Sequence, residues 1–489
     1  MRRAGWWWVV GALAGAAALV PAHLLATVPP INRDHWAIGQ QSDVRHHVLG
    51  YLGLWWLLFA VTAVALLRAP RRLAVVTALV LGAAAAVVSL VHTAVLSDDL
   101  YRYAWDGGIQ AAGVNPYRYS PDDAHLTSAR DPWLWPTDQE CLARGKSAPC
   151  TRINRPGVRT IYPPVAQLWF LLGHAVLPAA ARDLGWEVLG LAVAGATSVL
   201  LVWVLHRTSR DPRWGVIWAC CPVVALEAVQ NAHVDALAAL LVTALAAVLV
   251  TGPRTSGRAG PELGRGRTVA AAVLLTAAGL VKLYPFVLLP ALFQRHRPLA
   301  WLTVAVASAV GYLPYVLGVG GGVLGYLRGY LQEEGYGEGA RFQLLAVTGL
   351  NGTPVKLLAY AIVAVVLALA LARRLGPPLW AAVTVFTTLL LVVTPGEPWY
   401  ELLLLVLIAL TGRWEWAPVI AADYVAYVTA ILGGPQLLLP RGVYLTALMV
   451  GIGVTVLRRL RDRGPAAARV SGALPEPVES GPVLDEPPA

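Results

Sequence analysis

Charged residues are scarce in this chain of 489 residues. Aspartate, glutamate, lysine and arginine make up 13% of it and hydrophobic residues 57%, whereas soluble domains carry roughly 25% charged residues. A folded soluble chain keeps a large polar surface, so no soluble fold could bury this much apolar sequence. The composition excludes a soluble enzyme, a nucleic-acid-binding module and a disordered protein, and we expect no nucleic acid among the partners.

Short segments of alternating polarity, which are typical of membrane β-barrels, are also missing. Continuous apolar runs of helical length recur instead from one end of the chain to the other. Because most of these runs can cross a hydrocarbon core of about 30 Å, we predict an all-α polytopic membrane protein, a bundle of about 14 transmembrane helices embedded in the lipid bilayer.

Lysine is rare, and most of the basic residues are arginines that cluster between the apolar runs. Such clusters mark cytoplasmic loops in membrane proteins. They predict that the N-terminus, the loop 252–267 and the C-terminal tail are cytoplasmic. They also predict that the first polar segment (97–164) and the second polar segment (320–353) lie outside. The first apolar run could be a signal peptide, but it is long and lacks a clear cleavage site.

Two places in the membrane region need closer reading. If the short, proline-bounded run Tyr162–Pro178 spans the membrane, the basic cluster His206–Arg213 lies outside. If that run is an interfacial or re-entrant helix, the cluster is cytoplasmic, which the positive-inside rule favours.

Residues 268–293 are too few for two full spans at about 1.5 Å per residue. They predict a hairpin of two short helices broken near Lys282, a device found where backbone lines a cavity.

Polar side chains collect at the predicted outer ends of the helices. The run SDDLYRYAWDG at the start of the first polar segment combines carboxylates and arginine, which hydrogen-bond hydroxyls and phosphates, with aromatic rings, which stack on sugars. Its pair Asp98–Asp99 could also simply solvate a helix end. The candidate site residues are Asp98, Asp99, Tyr101, Arg102, Asp106, His233, Asp235, Lys282, Arg341, Trp399 and Tyr400.

Cysteine is rare as well, with four residues in the chain. Cys141 and Cys150 lie close together in the first polar segment, where an oxidising compartment would allow them to pair. We predict a disulfide between them, which would contribute about 2.5–3 kcal/mol in the chain-entropy model. Cys220 and Cys221 lie within an apolar run and are predicted to be buried thiols.

Five motifs follow one another along the chain: SDDLYRYAWDGGIQAAGVNPYRYSP, IYPPVAQLWF, NAHVDAL, VKLYPF and TPGEPWYELL. Together they resemble bacterial polyprenyl-phosphate-mannose-dependent mannosyltransferases of the GT-C fold, which are integral membrane glycosyltransferases. The resemblance extends from about Leu73 to Leu403. It depends on the combination of motifs, because each motif alone is weak.

The resemblance implies a function and a domain organisation. The enzyme would move a sugar, mannose in these relatives, from a polyprenyl-phosphate donor to a glycan or glycolipid acceptor of the cell envelope. The chain would consist of an N-terminal membrane hairpin (1–72), a GT-C-like catalytic domain (73–460) with an outer catalytic loop (97–164), and a disordered cytoplasmic tail (461–489). The implied location is the cell membrane, with the active site facing outside.

Transfer with inversion requires a base that takes the proton from the attacking acceptor hydroxyl. Asp98 or Asp99 is the candidate, and Asp98 is slightly favoured. The leaving phosphate requires positive charge, which Lys282 or Arg341 could supply. Lys282 could instead extend to the membrane interface, and Arg341 could be an ordinary loop charge.

The other candidate residues are predicted to bind the substrates. His233 and Asp235 could instead be a helix-end pair, and Trp399 and Tyr400 could belong to an interfacial aromatic belt. We expect no cofactor, because the lipid-linked sugar phosphate is a substrate. We also expect no metal, because the spacing of Asp99, His233 and Asp235 shows no metal site.

Two other classes of function remain open. A transporter or flippase of a lipid-linked sugar would carry charges through the depth of the membrane rather than at one face. A glycan polymerase or ligase would share an outer-face site but would need a longer acceptor groove.

Overall fold

The computed structural model describes residues 2–28, 38–90, 96–143, 146–250, 264–294, 298–434 and 438–462. Most of the loop 252–267 and nearly all of the predicted tail lie outside the described residues. Within the described ranges every regular element is a helix, as the sequence predicts.

The first half of the chain contains ten α-helices within the described residues. They are α1 (Arg2–Ala17), α2 (Leu19–Ala26), α3 (Ile38–Leu66), α4 (Arg71–Ser89), α5 (Asp99–Ala111), α6 (Asp138–Ala143), α7 (Pro164–Val176), α8 (Arg182–Arg207), α9 (Val216–Ala219) and α10 (Asp235–Val250). A π-helical segment, Val224–Gln230, lies between α9 and α10.

The described part of the second half adds nine more. They are α11 (Arg265–Val281), α12 (Leu289–Leu292), α13 (Pro298–Val319), α14 (Leu327–Glu333), α15 (Thr353–Leu371), α16 (Pro378–Val393), α17 (Glu401–Thr411), α18 (Ala417–Ile431) and α19 (Leu438–Asp462).

Seven helical stretches in the described residues are long and apolar enough to cross a membrane. They are Ala4–Ala26, Ser42–Leu66, Arg71–Ser89, Ala179–Arg207, Pro298–Glu333, Thr353–Leu371 and Leu438–Arg461. An eighth span arises if Pro212–Ala219 and Val224–Gln230, which meet at a bend of 63°, form one broken span.

The structure therefore supports a helical protein embedded in a membrane but does not reach the predicted 14 spans. The difference comes partly from short apolar helices such as α10 and α16. With 16 residues each, they cover only about 24 Å at a rise of about 1.5 Å per residue. A short helix packed inside other helices does not have to span the hydrocarbon core.

The exposed apolar side chains of the long helices indicate where lipid contacts the protein. In the stretch Pro298–Glu333 only 6% of the apolar window is buried, and Leu317 is 79% exposed. Soluble proteins rarely leave such continuous apolar surfaces open to water. The opposite extreme is α17, in which the side chains from Glu401 to Leu410 are all buried. A helix that is apolar on every side lies at the centre of a bundle.

The helix pair α5 and α7 positions the start of the first polar segment. The ring of Tyr103 on α5 stacks on Phe170 of α7, with centroids 4.5 Å apart. Gly107 permits this approach, because a Cβ at that position would lie 2.2 Å from the Phe170 carbonyl oxygen. The 13-residue length of α7 agrees with an interfacial rather than a spanning helix.

The predicted break near Lys282 is confirmed. Helix α11 ends at Val281, and Lys282 adopts an extended conformation with φ −144° and ψ 146°. The second arm of the predicted hairpin is short and irregular, since it consists of one 3₁₀ segment, Tyr284–Leu288, and the single-turn helix α12. Pro285 and Pro290 fall here, and each removes a backbone donor that a continuous helix needs.

Candidate functional site

A cavity of about 930 Å³ lies between the two polar segments and the end of α11. It brings together residues far apart in sequence, and most of the sequence-predicted site residues line it. These are Asp98, Asp99, Tyr101, Arg102, Lys282, Arg341, Trp399 and Tyr400. Asp106, His233 and Asp235 are not among the lining residues; they are buried behind the cavity wall.

The carboxylates of Asp98 and Asp99 are joined by one amide. The side-chain nitrogen of Asn154 donates to Asp98 Oδ1 at 3.0 Å and to Asp99 Oδ1 at 2.6 Å. Asp99 Oδ2 accepts further hydrogen bonds from the hydroxyls of Tyr162 at 2.9 Å and Tyr103 at 3.4 Å. Asp99 is therefore fixed by several donors, whereas Asp98 is exposed towards the cavity and has Asn154 as its side-chain donor.

Their surroundings shift the pKa values of the Asp98 and Asp99 carboxyl groups in opposite directions. Desolvation of the Asp98 carboxyl group by the surrounding protein, together with the charge of Asp99, raises the pKa of Asp98 to about 6. Burial opposes ionisation of Asp99, but the adjacent His233 and Lys282 and the hydrogen bonds from Tyr162 and Asn154 favour it. The pKa of Asp99 is consequently lower than its ordinary value. Asp98 thus has the basicity of a proton acceptor near neutral pH, and Asp99 remains a carboxylate.

The backbone next to Asp98 is held by the far end of the chain. The hydroxyl of Tyr427 on α18 donates to the carbonyl oxygen of Leu96, across a sequence separation of 331 residues. Tyr427 also lines the cavity. The position of the Asp98–Asp99 pair therefore depends on α18 as well as on the first polar segment.

His233 lies directly behind Asp99. Its Nδ1 is 3.7 Å from Asp99 Oδ2, and its Nε2 is 3.4 Å from a carboxylate oxygen of Glu227. The imidazole stacks on the ring of Trp399, with centroids 4.2 Å apart. His233 is 1% exposed, so it supports the cavity wall without facing the cavity.

Lys282 lies at the break after α11 and reaches the cavity among aromatic rings. Its ammonium group is 3.0 Å from Asp235 Oδ2, which explains the burial of that carboxylate. It is also 5.1 Å from the ring centroid of Tyr400 and 5.6 Å from that of Trp399, within cation–π range. The side chain is 14% exposed. A lysine that is buried and paired in this way does not extend to the membrane interface.

Arg341 is less available as a cation than the sequence suggests. Its guanidinium group pairs with Glu334 at 2.6 Å and also with Glu397. These two carboxylates would compete with a phosphate for the guanidinium group. That Arg341 serves the leaving group stays a prediction.

Arg102 and Asp106 form an ion pair with each other. Arg102 Nε lies 3.0 Å from Asp106 Oδ1, and both side chains are almost fully buried. Gln167 donates to the second oxygen of Asp106 at 3.0 Å, and Arg102 Nη2 donates to the Val158 carbonyl oxygen. Asp106 is thus occupied in holding the first polar segment to α7, and Arg102 does not pair with either carboxylate of the Asp98–Asp99 pair.

The predicted aromatic residues line the cavity at different places. Tyr101 packs edge-on against Trp133, with centroids 5.8 Å apart, in the first polar segment. The Tyr400 hydroxyl lies 3.4 Å from that of Tyr330. Trp399 stacks on His233 and has edge contacts with Tyr400 and Tyr427, so these rings belong to the cavity wall.

Cys141 and Cys150 are joined by a disulfide, with Cα atoms 5.8 Å apart. The bond closes a small loop that contains Lys146, whose backbone nitrogen donates to the Cys141 carbonyl oxygen at 3.0 Å. Cys220 and Cys221 are free; Cys221 is buried and Cys220 is partly buried.

Sequence reasoning missed several residues of this site. Asn154 and Tyr162 bind the Asp98–Asp99 pair, and Glu227 lies behind His233. Glu227 carries a usable signal, because it is an acidic residue within a long apolar run. The cavity-lining cations of the first polar segment were also missed, namely Lys146, Arg152, Arg155 and Arg159.

Within the part of the chain that the structure describes, no three histidine, cysteine, aspartate or glutamate side chains are arranged to hold a metal ion. Asp99 and Asp235, two of the ligands considered from the sequence, instead have Tyr162 and Lys282 as partners. Comparisons with known protein families, curated proteins and solved structures found no match for the chain.

Proposed function

We propose that the chain is a membrane glycosyltransferase of the GT-C type. It would transfer a sugar, mannose by the sequence resemblance, from a polyprenyl-phosphate donor to a glycan or glycolipid of the cell envelope, at a site on the outer face of the cell membrane. The observation that carries the proposal is a single cavity that holds the carboxylates of Asp98 and Asp99 together with the ammonium group of Lys282 among aromatic rings.

Each part of that cavity has a role in the reaction. The acceptor hydroxyl attacks the anomeric carbon on the face opposite the phosphate, so the new glycosidic bond forms as the bond to phosphate oxygen breaks. Asp98 takes the hydroxyl proton, and the phosphate leaves with the electron pair. Since a phosphate is a good leaving group, it requires positive charge rather than a proton. Lys282 would supply that charge, because its ammonium group pairs with Asp235 on one side and lines the cavity on the other.

Asp99 has a separate role in this scheme. Held by Asn154, Tyr162 and Tyr103, it keeps a negative charge beside Asp98 and thereby raises the basicity of Asp98. Aromatic rings at Trp399 and Tyr400 offer faces on which a sugar ring can stack. The amphipathic character of the cavity suits a donor with an apolar chain and a polar head.

The direct test is to incubate the purified protein with radiolabelled polyprenyl-phosphate mannose and a lipid and glycan extract of envelope material. We expect a labelled glycosylated product and free polyprenyl phosphate in equal amounts. Polyprenyl-phosphate glucose in a parallel reaction tests the choice of sugar. Consumption of neither donor by a protein that remains folded would remove the proposal.

A transporter or flippase of a lipid-linked sugar is the second candidate, favoured by a specific observation. Glu401 on α17 and Asp423 on α18 are fully buried carboxyl groups inside the helical bundle. Buried acids at membrane depth are common in proton-coupled carriers. Movement of a fluorescent polyprenyl-phosphate sugar across proteoliposomes, without formation of a glycosidic bond, would favour this candidate over the transferase.

A further inference from the structure

The cavity contains more basic than acidic side chains. Seven lysines and arginines line it, against four aspartates and glutamates. Four of the seven cations have carboxylate partners close by. Arg102 pairs with Asp106 and Lys282 with Asp235. Arg155 and Arg341 also form ion pairs with glutamates of the second polar segment, and Arg341 pairs with Glu397 as well.

The other three cations have no such partner. In the described parts of the chain, no carboxylate lies within ion-pair distance of Lys146, Arg152 or Arg159. We refer to these three residues as the cationic wall. All three belong to the first polar segment and line the cavity.

Within the cationic wall, Arg152 is held in place close in sequence to the residue that binds Asp98, and the charge of Lys146 acts on the Asp98 carboxyl group. Arg152 is two residues from Asn154, the residue that binds Asp98. The backbone nitrogen of Arg152 donates to the Leu134 carbonyl oxygen at 2.9 Å, and the Thr151 hydroxyl donates to the same oxygen at 2.7 Å. The guanidinium group of Arg152 lies 5.6 Å from the ring centroid of Tyr101. A cation fixed as Arg152 is loses little freedom when it binds an anion.

From this arrangement we infer that the acceptor carries an anionic group, phosphate or carboxylate, which the cationic wall binds while the acceptor hydroxyl reaches Asp98. The inference rests on the proposed function. The donor contributes one phosphate, which Lys282 serves at the aromatic end of the cavity. A second set of cations on the polar side, next to the base, therefore fits the second substrate.

Binding of small sugars to the protein in phosphatidylcholine nanodiscs tests the inference without knowledge of the natural acceptor. The probes are mannose, mannose 6-phosphate and glucuronic acid, with affinity measured by calorimetry. We expect mannose 6-phosphate to bind at least about tenfold more tightly than mannose, because hydrogen bonds between charged groups are the stronger kind. Glucuronic acid should share this advantage if a carboxylate suffices.

The double variant Arg152→Gln/Arg159→Gln should lose most of the preference for anionic probes and keep the affinity for mannose. Arg159→Gln alone gives a second measurement if the double variant does not fold, since the Arg159 side chain is exposed. Arg118→Gln is the matched control, because Arg118 is an exposed arginine of the same segment that does not line the cavity. An equal preference in wild type and double variant would overturn the inference.

Further measurements distinguish the acceptor from the donor phosphate and from lipid headgroups as the source of the anion. They also distinguish failure of this inference from failure of the proposed function. If Lys282→Gln abolishes the preference and the double variant keeps it, the probes occupy the donor phosphate position and the inference fails, while the proposed transferase stands. Competition by phosphatidylglycerol in the nanodiscs would assign the cationic wall to lipid headgroups and overturn the assignment to the acceptor. If the wild type binds the anionic probes but transfers no sugar, the proposed function fails on its own.

Discussion

Replacement of Asp98 by asparagine is the sharpest test of the proposed chemistry. The substitution keeps the shape of the side chain, and the amide oxygen can still accept the hydrogen bond from Asn154 that measures 3.0 Å in the native protein. The side chain is exposed towards the cavity, so we expect little change in the stability of the fold. The loss should be chemical, because an amide does not accept the hydroxyl proton.

The expected loss is about 10²–10⁴-fold in the transfer rate, the usual contribution of a positioned base. The assay is single-turnover transfer from radiolabelled donor, with donor affinity measured separately and expected to stay unchanged. Asp138→Asn is a suitable control, since Asp138 is an exposed carboxylate of the same segment outside the cavity. A transfer rate in Asp98→Asn close to that of the wild type would refute the assignment of Asp98 as the base.

Asp99→Asn should behave differently, for a reason visible in the hydrogen bonds. Both oxygens of Asp99 face donors, from Asn154 on one side and from Tyr162 and Tyr103 on the other. An amide would point its own donor at one of them, at a cost of about 1–3 kcal/mol in stability. Removing the charge of Asp99 also removes a cause of the raised pKa of Asp98, so the acidic side of the pH–rate profile should move to lower pH.

The remaining predictions concern separate features of the protein. Lys282→Ala should lower transfer strongly, and Lys282→Arg should restore it only in part, because a planar guanidinium differs from a point charge; an unchanged rate in Lys282→Ala would remove the lysine from the reaction. In the wild type, the rate should rise with pH and level off above about pH 6, as the carboxyl group of Asp98, whose pKa is about 6, loses its proton; a profile that is flat from pH 5 to 7 would contradict this assignment. Mass mapping without reduction should find Cys141 linked to Cys150, and free thiols at both positions would contradict the structure. A single cysteine at position 258, in a variant without native cysteines, should be inaccessible to a membrane-impermeant reagent added outside intact cells; labelling there would overturn the predicted orientation.

Several features of the site could be predicted from the sequence because they depend on local pattern. A proline such as Pro285, three residues after Lys282, interrupts a helix whatever the surrounding fold. The predicted break at Lys282 is confirmed. The spacing of Arg102 and Asp106 is also local, since residues four apart lie on the same face of a helix. Their ion pair could have been predicted, and it would have argued against a substrate-binding role for Asp106.

Other features depend on contacts between distant segments, which a single sequence does not encode in any local pattern. The two glutamates that neutralise Arg341 come from two different parts of the second half of the chain. For a related reason, the described residues do not confirm the predicted 14 membrane spans. An apolar run such as α16 has the same composition whether it faces lipid or lies among other helices, and only the packing of the whole bundle distinguishes the two.

The hydrogen bond from Tyr427 to the Leu96 carbonyl oxygen has a consequence for how the protein is made. More than 300 residues separate the two partners. During translation the Asp98–Asp99 pair is therefore synthesised long before Tyr427 can bind the backbone beside it. Truncated chains that end before α18 should therefore accumulate as intermediates in which the Asp98–Asp99 pair is not held in its native position. Co-expression of the missing C-terminal fragment, which carries Tyr427, should restore the site if the fragment binds the truncated chain and re-forms this hydrogen bond.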